Sequence, residues 1–179
     1  VRRAKLFSKK KNYKQGIKDL RLAAEMDPSN KRIWYYLGDI MIKLENPRGA
    51  LDYFEKATVI QPKYSEAFLG KAIAFTKLKD DKNAEINFKQ SLKFSRNKKE
   101  RVLFEKGKFE KSRGDLMQAR KDFQEARKFN IKFSDAWLAE ANILVDLKRR
   151  GEAISLLNEY LKLRPEDNIA RKILLNINK

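Results

Sequence analysis

The sequence contains no cysteine and no histidine. That removes disulfides, cysteine nucleophiles, zinc sites of the Cys/His type and Ser-His-Asp triads. Glycine and proline are scarce, at 7 and 4, too few for the many tight turns of an all-β sandwich. No apolar run approaches the roughly 18–20 residues that cross a bilayer, and no secretory signal is visible. Charge, by contrast, is abundant: 42 Lys+Arg stand against 24 Asp+Glu, a formal +18. Hydrophobic residues make up 42% of the 179, enough for a core and too many for a disordered chain. The composition points to a basic, helical protein with little catalytic equipment.

The chain opens at Val1, without Met, directly in helical-looking sequence, and is expected to be a piece of a longer protein. Its compartment stays open between cytoplasmic and extracytoplasmic bacterial, with an anchor elsewhere in the intact chain compatible with either. A charge of +18 suits nucleic acid, anionic lipid or acidic protein partners. The abundance of Lys, Asn, Ile and Phe fits AT-rich codon bias equally well.

A spacing recurs along the chain. Trp34-x-x-Leu37-Gly38 is followed by Ala50-x-x-x-Phe54-x-x-Ala57 and then Pro62. Pro28 stands 34 residues before Pro62, preceded by Leu20 and Ala23. Phe68, Ala72, Phe75, Ala84, Phe88 and Ser91 keep the spacing. After one extra residue near Asn97 it returns in Leu103, Gly107, Ala119, Phe123 and Ala126, and again in Trp137, Ala141, Leu144, Ala153, Leu157, Tyr160 and Pro165. Each period holds two amphipathic stretches of about 13 residues, three to four helical turns apiece. Small residues (Gly38, Ala72, Gly107, Ala141) fall in the first helices, where a neighbour must come close. Phe54, Phe88 and Phe123 fill the space opposite, as interdigitating cores require. One such helical pair cannot bury both faces; stacked pairs can.

This pattern resembles the tetratricopeptide repeat, W-x2-L-G-x2-Y, then A-x3-F, then P, over nearly the whole chain. The resemblance implies an all-α fold: a right-handed superhelical solenoid of about five helix-turn-helix units. Their bounds are about 1–30, 31–64, 65–99, 100–133 and 134–167, with a capping helix at 168–179, all in one domain over 1–179. Lys71, Lys106 and Glu140 stand where the pattern prefers Leu, Glu110 where it prefers Tyr, and Gly16 where it prefers Ala; looser local packing is expected there. Ile169, Ile173, Leu174 and Ile177 share one face of the last helix, with Leu175 just off it. Shielding of the last repeat is the expected role, and self-association the alternative.

The resemblance further implies that the first helices line a concave groove that takes an extended or helical partner segment. The residue after the Trp-like slot is expected to face it: Tyr35, Leu69, Phe104 and Leu138. One turn on come Asp39, Ile73, Lys108 and Asn142, then Ile42, Thr76, Lys111 and Val145. Arg32, Lys43, Lys77, Arg101, Lys108 and Lys111 would make the groove basic, with Asp135 and Asp146 acidic at its C-terminal end. The residues expected to bind the partner are Tyr35, Leu69, Ile73, Phe104, Arg101, Lys108, Lys111 and Leu138, apolar anchors giving affinity and cations giving orientation. Ordinary core packing is the competing reading of the apolar members.

One branch of the family grips chaperone C-termini with a carboxylate clamp. In the middle frame its positions are occupied here by Tyr35 and Asp39, then Gly70, then Arg101 and Glu105. Neither of the other frames fits, so no chaperone EEVD-type tail is expected as a partner. The basic clusters Lys9-Lys10-Lys11, Arg96 to Lys99 and Lys148-Arg149-Arg150 lie near predicted helix ends, where solvated cations are ordinary. They accompany no RNA-binding motif. Asp80-Asp81 reads as a solvated turn. No catalytic residue, metal site or cofactor is expected, because no nucleophile–base pair or Gly-rich phosphate loop can be assembled. The expected function is a protein–protein interaction scaffold or adaptor. Nucleic-acid or other polyanion binding through the basic surface is the alternative.

Overall fold

A computed structural model describes residues 12–177. The chain divides into two compact units, Val1–Arg96 and Asn97–Lys179. The described residues form ten α-helices and no strand. The first unit holds α1 (Tyr13–Met26), α2 (Lys31–Lys43), α3 (Pro47–Ile60), α4 (Ser65–Lys77) and α5 (Asp81–Phe94). The second holds α6 (Lys99–Ser112), α7 (Leu116–Phe129), α8 (Ser134–Asp146), α9 (Arg150–Leu163) and α10 (Asn168–Ile177). The all-α repeat architecture follows the sequence pattern, with α2/α3, α4/α5, α6/α7 and α8/α9 as helical pairs.

Several of the helices begin where a side chain serves a first N–H group. Asn12, Asn46, Asp80 and Asp115 accept hydrogen bonds from the backbone three residues on, and Asn30 from Arg32 two residues on. Pro47 takes the first position of α3, where its missing N–H costs nothing. Asp80 of the acidic pair is thus a helix cap. Its carboxyl is held below the ordinary carboxylate value by the side chain and backbone of Asn83.

Inside each pair the turn is the same. A left-handed residue ends the first helix: Glu45 (φ 54°), Lys79 (58°), Gly114 (84°) and Lys148 (59°). The next N–H then reaches back to a carbonyl of the last helical turn: Asn46 to Met41 (2.9 Å), Asp80 to Phe75 (3.0 Å), Asp115 to Glu110 (3.0 Å) and Arg149 to Leu144 (2.8 Å). This six-to-one bond satisfies a carbonyl that the helix end would leave bare.

Glycines admit the aromatic rings. In the first unit a Cβ on Gly38 would stand 2.6 Å from Phe54 Cε1, and Gly70 meets the same ring from α4. In the second unit Gly107 does this for Phe123, again at 2.6 Å. Around them lie Leu20, Ile33, Leu37 and Ile40 in one unit, and Trp137, Leu144, Leu157, Tyr160 and Ala170 in the other, all at most 1% exposed. The two indoles are fixed alike: Trp34 Nε1 donates to the carbonyl of Pro28 (2.8 Å) and Trp137 Nε1 to that of Ile131 (2.9 Å).

The charged departures from the pattern are partnered within their own unit. Lys71 pairs with Glu55 of α3. Lys106 lies 2.6 Å from Asp122 and 3.2 Å from Glu110. Glu140, 1% exposed, lies 2.7 Å from Arg127 and 3.8 Å from Arg120. Arg120 continues to Glu152 at 3.0 Å. In place of the loosened packing expected at these positions, the structure has ion pairs linking helices.

Candidate functional site

The eight residues expected to bind a partner fall into two sets, one in each unit. Tyr35, Leu69 and Ile73 belong to α2 and α4; Arg101, Phe104, Lys108 and Lys111 to α6, and Leu138 to α8.

In the first unit Tyr35 is half-buried in an aromatic group. Its ring meets Tyr36 edge-on at 5.3 Å, Tyr64 edge-on at 5.8 Å and Phe54 at 5.9 Å. The Lys31 ammonium stands 5.3 Å from the Tyr64 ring. Burial, aided by Glu66 and the neighbouring tyrosines, drives the Tyr64 phenol well above its ordinary value. Ile73 is half-buried. Leu69 does not fit the expectation: it is 5% exposed and belongs to the core. The slot after the Trp-like position fixes a side chain's direction but not its depth. Tyr35, Phe104 and Leu138 remain half-accessible there, whereas Leu69 is covered, so the depth is set by the surrounding helices.

The cations of this face are largely neutralised. Lys43 lies 2.9 Å from Asp39 and Lys77 2.8 Å from Glu45. Arg32 is exposed and forms no ion pair among the described residues.

In the second unit Phe104 is half-buried between Phe123 (5.6 Å) and Phe133 (5.2 Å, edge-on). Lys108 holds its ammonium 5.1 Å from the Phe104 ring and 2.6 Å from Glu105. Lys111 is paired with Asp146 of α8 at 2.8 Å. Of the three cations expected to orient a ligand here, Arg101 is exposed and without an ion pair among the described residues. Leu138 is half-buried against the Trp137–Tyr160 core. A partly open aromatic ring and, three residues earlier on the same helix, a guanidinium without an ion pair among the described residues can hold an apolar side chain next to a carboxylate.

Tyr36, Tyr64 and Phe133 escape a reading of the sequence alone. A signal existed: Tyr64 and Phe133 both occupy the residue before a first helix, α4 and α8, in corresponding places of their repeats. Among the described residues no group of three or more Asp, Glu, His or Cys could hold a metal ion, and no helix is long and apolar enough to cross a membrane. Of the basic clusters, Arg96 to Lys98 and Lys148 to Arg150 are exposed, while Lys99 is half-buried with its ammonium 5.4 Å from the Phe129 ring. Lys9-Lys10-Lys11 lies outside the described residues.

Family models for the tetratricopeptide repeat match residues 1–30, 32–64 and 101–168. Among solved structures, TTC0263, a thermophilic TPR protein of Thermus thermophilus, aligns with a TM-score of 0.80 at 16% identity, over 99% of this chain and 96% of that one. YrrB, described as a TPR protein with an unusual peptide-binding site, aligns with a TM-score of 0.63 at 21% identity, over 94% and 87%. Such identities show the fold. Among curated proteins, BBSome complex member BBS4 of Bos taurus is 28% identical over 90 residues, covering 50% of this chain and 17% of that protein. This chain therefore matches only a small part of that relative's length.

Proposed function

We propose that this chain, which belongs to the tetratricopeptide repeat family, serves as a scaffold that docks a partner segment on the first-helix faces of its repeats. The fold is that of protein–protein interaction scaffolds in general. The observation that supports a specific seat is Phe104: half-open, supported from below by Phe123, with the free Arg101 three residues earlier on the same helix. A segment that places an apolar side chain on Phe104 and Leu138 and a carboxylate at Arg101 fits this arrangement. Tyr35 and Ile73 make the corresponding apolar contact in the first unit, without Leu69. YrrB, with its peptide-binding site, offers an analogy of fold.

The test is capture from source-organism lysate, with and without nuclease, comparing wild type with Tyr35→Ala/Phe104→Ala and with Arg101→Glu, each checked for retained helicity. A partner kept after nuclease and lost with both variants supports the reading. Capture indifferent to both variants removes it.

A second reading, binding of nucleic acid or another polyanion, draws on Lys14, Lys89 and Lys121. These are exposed on second helices and form no ion pair among the described residues. It predicts capture that vanishes with nuclease and affinity that falls steeply with salt.

A further inference from the structure

Within the second unit, the exposed large apolar side chains are unevenly placed. Phe129 (55% exposed), Ile131 (54%), Leu163 (48%) and Ile169 (62%) lie at the ends of α7 and α9, in the turn after α7 and at the start of α10. Contacts show that the helices alternate in direction. Lys99 at the start of α6 stands over Phe129 at the end of α7, and Gly107 in mid-helix meets Phe123. Arg127 late in α7 meets Glu140 of α8, and Tyr160 late in α9 donates to Asp167 just before α10. The four apolar residues thus share one end of the unit, whereas Met117 and Leu175 lie at the other.

The same end carries Lys98, Lys132, Lys162 and Arg164, exposed and without an ion pair among the described residues. Of its acids, Asp167 is occupied by Tyr160 and by the N–H groups of Ile169 and Ala170. Glu100, Asp135 and Glu166 remain.

We propose that this end of the second unit docks on an anionic lipid bilayer surface. Protruding aromatic and aliphatic tips among free cations are what an interfacial contact needs: the tips enter the headgroup–acyl boundary and the cations meet acidic headgroups. The tips stand at helix ends and turns instead of lining a trough, which suits a plane better than a peptide. Aliphatic side chains gain nothing from the phosphates of a nucleic acid. A second copy would bring a like charge of +18 against this one.

The experiment is co-sedimentation of the full chain with phosphatidylcholine vesicles, with and without phosphatidylglycerol, at physiological salt. Three variants are compared: Phe129→Ser/Ile131→Ser and Lys132→Glu/Arg164→Glu at the proposed face, and Met117→Ser/Leu175→Ser at the opposite end. All six side chains are exposed, and retained thermal melting confirms each fold. The expected result is binding that requires phosphatidylglycerol, drops about tenfold or more in each of the first two variants, and stays within about twofold in the third. Equal behaviour of the Phe129/Ile131 and Met117/Leu175 variants, or no vesicle binding, overturns the proposal. So does a dimer, seen by sedimentation equilibrium, that Phe129→Ser/Ile131→Ser abolishes, since the occupant is then a second copy.

Discussion

The carboxylate of Glu140 on α8 lies 2.7 Å from Nε of Arg127 on α7, and that guanidinium also stands 4.3 Å from the ring of Trp137. Glu140 is 1% exposed. Removing one partner of a buried ion pair leaves the other uncompensated and costs about 3–5 kcal/mol. Glu140→Gln is therefore expected to destabilise the protein by about 3 kcal/mol. Glu140→Leu/Arg127→Met, which replaces both partners by apolar groups, should recover most of that loss. Urea unfolding midpoints of the single and double variants check this; equal losses in both would contradict it.

Gly107 and Gly151 should respond to alanine in opposite directions. A Cβ on Gly107 would stand 2.6 Å from the Phe123 ring, while one on Gly151 meets nothing within 4 Å. Gly107→Ala is expected to cost about 1–3 kcal/mol by overpacking. Gly151→Ala, near the start of α9, should add about 0.5–1 kcal/mol by reducing the freedom of the unfolded chain. Thermal melting of the two variants separates them.

Lys79 and Lys148 adopt left-handed backbone, at φ 58° and 59°, where a Cβ costs roughly 1–2 kcal/mol. The corresponding turn between α6 and α7 already uses Gly114. Lys79→Gly and Lys148→Gly should each stabilise by about 0.5–1 kcal/mol. Gly114→Ala should destabilise by a similar amount. Urea midpoints decide the signs.

Asp167 makes the docking of α10 sensitive to acid. Its carboxyl is held below the ordinary 3.8, chiefly by the Tyr160 hydroxyl and then by the N–H groups of Ala170 and Ile169, against an opposing effect of burial. A depressed folded value means stabilisation that is complete above the unfolded value and disappears as pH falls through the folded one. Stability should therefore decline below about pH 4, and Asp167→Asn should remove that part of the decline. Hydrogen exchange of α10 amides against pH, in wild type and variant, measures it. An unchanged acid profile would exclude Asp167 as its source.

The repeat was legible in sequence because it rests on side-chain size at fixed spacing. Gly38 with Phe54 and Gly107 with Phe123 are such pairs, and the structure places them in contact. Charge at core-facing slots was harder to read. Lys106 has one partner on its own helix, Glu110 at i+4. But Glu55, Asp122 and Arg127, the partners of Lys71, Lys106 and Glu140 across helices, lie 16, 16 and 13 residues away, a separation that no single-helix periodicity reveals. At the site that limit hid Asp146, which lies on another helix from Lys111, whereas Glu105 stands only three residues from Lys108 on the same helix. Lys108 and Lys111 looked free as members of a cationic stripe, but Glu105 and Asp146 claim them. Leu69 had the right angular position but is buried, while Leu138 in the corresponding slot is not; the spacing fixes direction, and the neighbouring helices fix depth.

The turns inside the helical pairs have a consequence for how such a chain tolerates change in length. Their left-handed residues fall at 45, 79, 114 and 148, so the single irregular step lies between the second and third. The extra residue falls in α6, which has 14 residues where α2, α4 and α8 have 13. The link 95–98 before it keeps the same length as the links 61–64 and 130–133, and the six-to-one bond on either side is intact. Each pair is closed at its turn: one more residue inside the turn would break the bond that closes it, whereas one more at the junction with the preceding pair, as in α6, leaves that bond untouched. Insertions and deletions among relatives of this chain should therefore spare the turns and collect where one pair passes into the next.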